Sequence, residues 1–189
     1  MAFADIRDVR LFFTDEGDGG PPLLFVHGYT CDSHDWSWQL PHFAADRRVI
    51  AVDLRGHGRS TAPEHGTMDP VPVVQQILEA FDAPARSPAL RTWQLRRAAG
   101  VPHHVLRQAL VSQVKGLTLY SNSAPYLARR TCPVLTFYAD PARAGIEASL
   151  YTDDRSRVVA WEGAGHWLHQ ERPAEFNALV GTWLAELRL

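Results

Sequence analysis

Leu23-Leu24-Phe25-Val26-His27-Gly28 runs four apolar residues directly into a histidine and a glycine. The run is too short for a stable helix and holds no polar residue, which suits a strand buried on both faces, as parallel sheets require. A second run of this kind, Val49–Val52, leads into Asp53-Leu54-Arg55-Gly56-His57-Gly58-Arg59-Ser60. Between the two, Trp36–Phe43 carries apolar residues at helical spacing, interrupted by Pro41. Two buried strands joined by a short helical stretch predict an α/β sheet. Upstream, a strand-rich region begins at about Ile6. Val9–Phe13 predicts one further short strand there, and Asp15–Pro22 is a Gly/Pro/Asp turn cluster.

Downstream the pattern changes. Thr61–Pro72 reads as a linker, with Pro63, Gly66, Pro70 and Pro72 among few apolar residues. Val73–Arg130 reads as helical. Val73, Val74, Ile77, Leu78 and Phe81 form a helical stripe, and Leu90–Ala99 and His103–Lys115 are stopped by Gly100 and Gly116. Leu117–Tyr120 is the strand candidate of that stretch. The α/β pattern then resumes with Val134–Tyr138, ended by Asp140-Pro141, and with Val158–Trp161, followed by Glu162-Gly163-Ala164-Gly165-His166. Pro173 opens a helix through Leu187, with Phe176, Leu179, Val180, Trp183 and Leu184 on one face. The predicted organisation is one domain overall. Residues 1–60 and 131–189 form the two parts of an α/β core, and 61–130 form a linker and helical insert.

Three polar clusters follow strands: His27-Gly28, Asp53–Ser60 and Gly163–His166. Open α/β sheets place ligands at the carboxyl ends of their strands. In this order and spacing, Leu23–Gly28, Asp53–Ser60 and Gly163-Ala164-Gly165-His166-Trp167, together with Cys132–Asp140, resemble the α/β-hydrolase fold family. The resemblance covers about residues 6–60 and 131–189. It implies an α/β-hydrolase-like, mostly parallel sheet, here reduced, with a helical cap-like insert. It implies that the three clusters meet at one sheet edge. His166 would then be the general base, and Asp140 the acid orienting it, with Asp69 as the rival acid. The N–H of Tyr29, just past His27-Gly28, would be one oxyanion donor. Trp36, Trp38 and Trp167 would line an apolar pocket. The implied activity is hydrolysis of a small, ester-like carbonyl compound.

The family's nucleophile sits on a Gly-x-Ser-x-Gly elbow, and the sequence departs from it. Between Thr61 and Arg130 the serines are Ser87, Ser112, Ser121 and Ser123, and none has a glycine two residues away. The second oxyanion N–H belongs to the residue after the nucleophile and goes with it. The junction near His65–Asp69 reads as an internal deletion that removes the central strand. Strand edges left open by such a loss invite association, so a homodimer is expected. Two other readings stay open: a non-catalytic relative that binds a small molecule, and base-only catalysis through His166.

Composition narrows the partners. The 189 residues are 46% hydrophobic and 21% charged, with net charge −2. With no basic run, neither nucleic acid nor an anionic membrane is an expected partner; a small molecule is. No stretch approaches the roughly 20 apolar residues of a membrane span. Met1–Arg10 carries Asp5 and Asp8 and no apolar core, unlike a signal peptide. Cys31 and Cys132 are expected to stay reduced, which points to the cytoplasm. No cofactor is called for. His103-His104 lacks metal-ligand spacing, and His166 with His169 lacks a partner at such spacing. Structural readings stand beside the catalytic ones. Asp140 equally suits the cap of a helix beginning at Pro141, and the tryptophans equally suit the core. The glycines around His57 serve a tight turn, and Arg96-Arg97 reads as a solvated helix face.

Overall fold

The structure is a computed structural model that describes residues 2–7, 9–62, 87–107, 125 and 127–189. These divide into two compact units, one of residues up to 107 and one from 125 onward. The predicted helix at Val73–Phe81, the strand at Leu117–Tyr120, the helix beyond residue 107, the deletion junction, Asp69, Ser112, Ser121 and Ser123 all lie outside the described residues.

In the first unit, β1 (Ala2–Ile6) turns through Arg7 into β2 (Val9–Glu16) as an antiparallel hairpin. β3 (Leu23–Val26) and β4 (Val49–Val52) follow, and the sheet order is β1-β2-β4-β3. β2 and β4 are antiparallel; β3 and β4 are parallel, with Leu24 opposite Ile50 and Val26 opposite Val52. Gly17 sits at φ 69°, and a Cβ there would stand 2.3 Å from the Arg47 carbonyl oxygen, so the turn before β3 requires glycine. Val49 and Ala51 are fully buried, and Phe25 packs on Trp36 and Phe43 with ring centroids 5.2 and 6.1 Å apart.

One expectation is corrected here. β3 is not buried on both faces: Leu24 and Val26 are 63% and 47% exposed. Among the described residues it is the edge strand of its sheet, with Phe25 packed on Trp36 and Phe43. The Trp36–Phe43 stretch is interrupted as expected: it falls into a 3-10 turn, Ser33–Trp36, and a one-turn helix α1, Leu40–Phe43, because Pro41 lacks an N–H and fits only a first helical turn. β1 was not foreseen. α2 (Pro88–Ala99) starts two residues earlier than expected, with Pro88 in its first turn.

In the second unit, β5 (Leu135–Tyr138) and β6 (Arg157–Ala160) are parallel and are linked through α3 (Pro141–Ala148). α4 (Leu168–Glu171) and α5 (Pro173–Glu186) follow. Alternation along β5 sorts its contacts. Phe137 meets Trp161 and Phe176 at 5.2 and 4.6 Å, whereas Tyr138 donates to the Glu147 carboxylate of α3 at 3.3 Å. Glu147 is buried and also accepts from Arg130 at 2.7 Å. Burial, and then the Glu147 charge, push the Tyr138 phenol up to about 12. Among the described residues neither Cys31 nor Cys132 is in a disulfide. Among the described residues no helix is long and apolar enough to cross a membrane.

Candidate active-site elements

The turn after β3 is held by its own histidine. His27 Nε2 accepts the Leu54 N–H at 2.9 Å, so Nδ1 carries the proton and donates to the Gly28 carbonyl at 2.7 Å. Both ring nitrogens are thus spent on backbone, and His27 braces this turn against the one after β4. Gly28 is exposed, with nothing within 4 Å of where a Cβ would stand. The Tyr29 side chain turns away to donate to the Leu106 carbonyl at 2.9 Å, and burial pushes its phenol up to about 12. Thr30 sits at φ 63°, a strained conformation for a β-branched residue. Among the described residues the Tyr29 N–H has no hydrogen-bond acceptor.

The turn after β4 is a staple. Asp53 is fully buried and accepts from the Ser33 N–H at 2.7 Å, the Arg59 N–H at 2.9 Å and Arg59 Nε at 3.1 Å. Burial pushes its carboxyl up, but the Ser33 and Arg59 donors outweigh it and hold it below the ordinary value. Ser60 Oγ donates to the Asp53 carbonyl at 2.5 Å and accepts the Phe12 N–H at 2.9 Å. The Arg59 guanidinium lies 3.5 Å over the Phe12 ring. At Gly58 (φ 54°) a Cβ would stand 2.2 Å from Asp53 Oδ2. At Gly56 (φ 81°) it would stand 2.7 Å from Val105. The Asp53–Ser60 motif is therefore architecture supporting the turn at Gly28-Tyr29.

His57 is 8% exposed, 5.2 Å from the His27 ring, and its Nε2 is buried without a hydrogen-bond partner among the described residues. Burial lowers its pKa; the nearby His27 adds to this, while the Arg55 carbonyl and the Asp32 and Asp53 charges oppose it. The folded form thus binds a proton less readily than the unfolded chain. The stabilisation is complete above the unfolded value of 6.5 and is lost as pH falls below it toward the depressed folded value. The urea midpoint should drop on acidification from about pH 6.5 to about pH 5, and His57→Gln should flatten that slope. A slope unchanged in the variant would assign the acid sensitivity elsewhere.

α2 is fastened to the same turn. Arg97 was expected on a solvated helix face, but its side chain is only 7% exposed. Its guanidinium meets the carboxylates of Asp32 at 3.3 Å and Asp35 at 3.2 Å and lies 4.6 Å over the Trp93 ring. Trp93 in turn meets Trp38 edge-on at 5.7 Å. Arg96 is exposed, as expected. Trp36 is half-buried against Phe25, and Trp38, 40% exposed, is the more open ring.

In the second unit, Asp140 caps α3: its Oδ1 accepts the Ala142 N–H at 2.9 Å, and Arg143 lies 3.6 Å from Oδ2. The partners of this carboxylate are local. His166 is exposed on the loop after β6, its ring edge-on to Trp167 at 5.0 Å. Trp167 is 4% exposed and plugs the loop into the unit's core. The Glu171 carboxylate reaches back to the Gly165 N–H at 2.8 Å. Neither Arg97 nor Glu171 stood out in the sequence. The one available signal for Glu171 is an acidic residue just before the Pro173 helix.

The chain has the α/β-hydrolase fold, with polar turns after β3, β4 and β6. Residues 21–98 match the alpha/beta hydrolase fold family. The chain is 37% identical over 79 residues, 41% of its length, to a haloalkane dehalogenase of Mesorhizobium japonicum, covering 26% of that protein. It is 30% identical over 123 residues, 64% of its length, to an epoxide hydrolase of Caballeronia sordidicola, covering 36% of that protein. Among solved structures it resembles an esterase from Exiguobacterium antarcticum with TM-score 0.82 and 14% identity over 97% of this chain and 99% of that one. A thermophilic esterase from Thermogutta terrifontis gives 0.79 and 16% over 96% and 95%. These curated relatives are matched over about a quarter to a third of their own length.

Proposed function

We propose that the chain is a hydrolase of a small, ester-like carbonyl compound, with His166 as general base and the Tyr29 N–H as oxyanion donor. The observation that supports it most is the unclaimed Tyr29 N–H in a turn braced by His27, Asp53 and Arg97. Preorganised donors of this kind stabilise charge that develops in the transition state. The relatives named as haloalkane dehalogenase and epoxide hydrolase support a hydrolytic reading.

The sequence holds no Gly-x-Ser-x-Gly elbow, which favours water as the nucleophile. His166 takes a proton from water as its oxygen adds to the carbonyl carbon. The carbon–oxygen bond to the leaving group then breaks as the imidazolium returns its proton to the departing alkoxide.

Turnover of p-nitrophenyl acetate should fall about a hundredfold or more in His166→Ala, the usual range for a lost general base. An equal rate in the variant removes the histidine from the mechanism. A fluorophosphonate probe should label no serine, and a labelled serine would replace water with a covalent intermediate. Asp140→Asn separates that residue's two roles, since asparagine caps a helix as well as aspartate does. If Asp140 orients the base, turnover falls while the melting temperature holds; unchanged turnover leaves it a cap alone.

A further inference from the structure

Two hydrogen bonds among the described residues hold the backbone of the loop that carries His166. Gly163 is left-handed at φ 79°, with nothing within 4 Å of where a Cβ would stand. One turn bond, Ala164 N–H to the Trp161 carbonyl at 3.1 Å, closes its start. Its far end is held by a side chain. Glu171 Oε2 accepts the N–H of Gly165, the residue directly before His166, at 2.8 Å.

The route of this contact is short and stiff. Gln170 and Glu171 donate their N–H groups to the Trp167 carbonyl at 2.9 and 3.0 Å, so α4 winds directly off the buried Trp167 and returns Glu171 to the loop. The other carboxylate oxygen, Oε1, is buried and has no hydrogen-bond partner among the described residues. A buried carboxylate oxygen left unpaired is costly. Packing alone does not account for a carboxylate in that place, because an apolar side chain of the same size avoids the cost. The bond to Gly165 is what the carboxylate adds.

We propose that Glu171 is a positioning residue for His166: by holding the Gly165 N–H it fixes the backbone before the imidazole and sets the ring's edge-on stance against Trp167. The catalytic consequence rests on the role proposed above for His166; the positioning does not.

The test uses the full chain with histidine labelled for NMR, the His166 ring signals being assigned by their loss in His166→Ala. The ring current of Trp167 marks those signals. Glu171→Met keeps the volume and removes the acceptor; Glu171→Gln keeps an acceptor oxygen. In the Met variant the His166 signals should move from their positions in the unsubstituted protein while those of the other histidines stay. In the Gln variant they should hold. Unmoved signals in Glu171→Met, or an equal movement in Glu171→Gln, overturn the proposal. In the unsubstituted protein the Gly165 amide should exchange slowly. Exchange at the rate of an unstructured peptide overturns it whether or not the Met variant folds.

With ester turnover as a second readout, kcat should fall about tenfold to a hundredfold in Glu171→Met at nearly constant KM and recover in Glu171→Gln, the scale expected of a slightly misplaced group. Moved ring signals in a protein with no turnover would sink His166 as a base and leave the positioning intact. Turnover with unmoved signals and unchanged kcat would do the reverse.

Discussion

Asp53→Ala should destabilise the first unit by about 3–5 kcal/mol, the usual consequence of removing one partner from a buried charged pair. The carboxylate is fully buried and accepts three donors from two segments, Ser33 and Arg59. Alanine leaves the Ser33 N–H buried and unpaired, takes the acceptor from the part-buried Arg59 N–H and removes the carboxylate from the guanidinium over Phe12. Asp53→Asn keeps one acceptor oxygen and should lose less. Urea denaturation measures both. A shift under about 1 kcal/mol would mean that water takes the carboxylate's place. The acid limb gives an independent check. The folded carboxyl lies below its unfolded value of 3.8, so its contribution is present above that pH and is lost as pH falls through the folded value. In Asp53→Asn that part of the acid transition should disappear.

Arg97→Leu should cost about as much, on the order of 3 kcal/mol, for the same reason seen from the cation's side. It takes the guanidinium away from the Asp35 carboxylate, 4% exposed, and from the Asp32 carboxylate, 19% exposed. Combining it with Asp35→Leu should recover a large part of the loss, because an apolar pair of similar volume often replaces a buried ion pair without penalty. The double-mutant cycle read from thermal melts gives the coupling directly. Additive losses would show that Arg97 and Asp35 do not act as a pair. Hydrogen exchange of the Gly28–Ser33 amides should quicken in the single variant, since α2 then no longer holds that turn.

The elements that were legible are those whose signal is local. Leu23–Val26 and Val49–Val52 announce themselves because a short, wholly apolar run bounded by glycine or a charge has few alternatives to a strand. Gly56 and Gly58 read correctly as turn formers because their positive φ values exclude other residues. Arg97 was not legible. Its partners are 62 and 65 residues away, and its neighbour Arg96 looks identical in sequence yet faces solvent. β1 was missed because its hairpin turns at Arg7, which has φ 57° without being glycine or asparagine. The exposure of Leu24 was misjudged for a related reason. An apolar run specifies a strand, but its place at the end of the order β1-β2-β4-β3 depends on what pairs beside it. At the site, the histidine loop was readable from its glycines. The carboxylate on Gly165 was not, since a Glu six residues on has no periodic or motif signature.

Tyr29 joins two things usually kept apart. Its backbone offers the open N–H, while its phenol is tied to the chain at Leu106. The phenol is a tether, and whatever displaces residues 103–107 pulls on the turn after β3. If the Tyr29 N–H is the oxyanion donor proposed above, a ligand bulky enough to lift Leu106 would swing that donor out of line, and tolerance for bulk would be linked through one side chain to the aim of one amide.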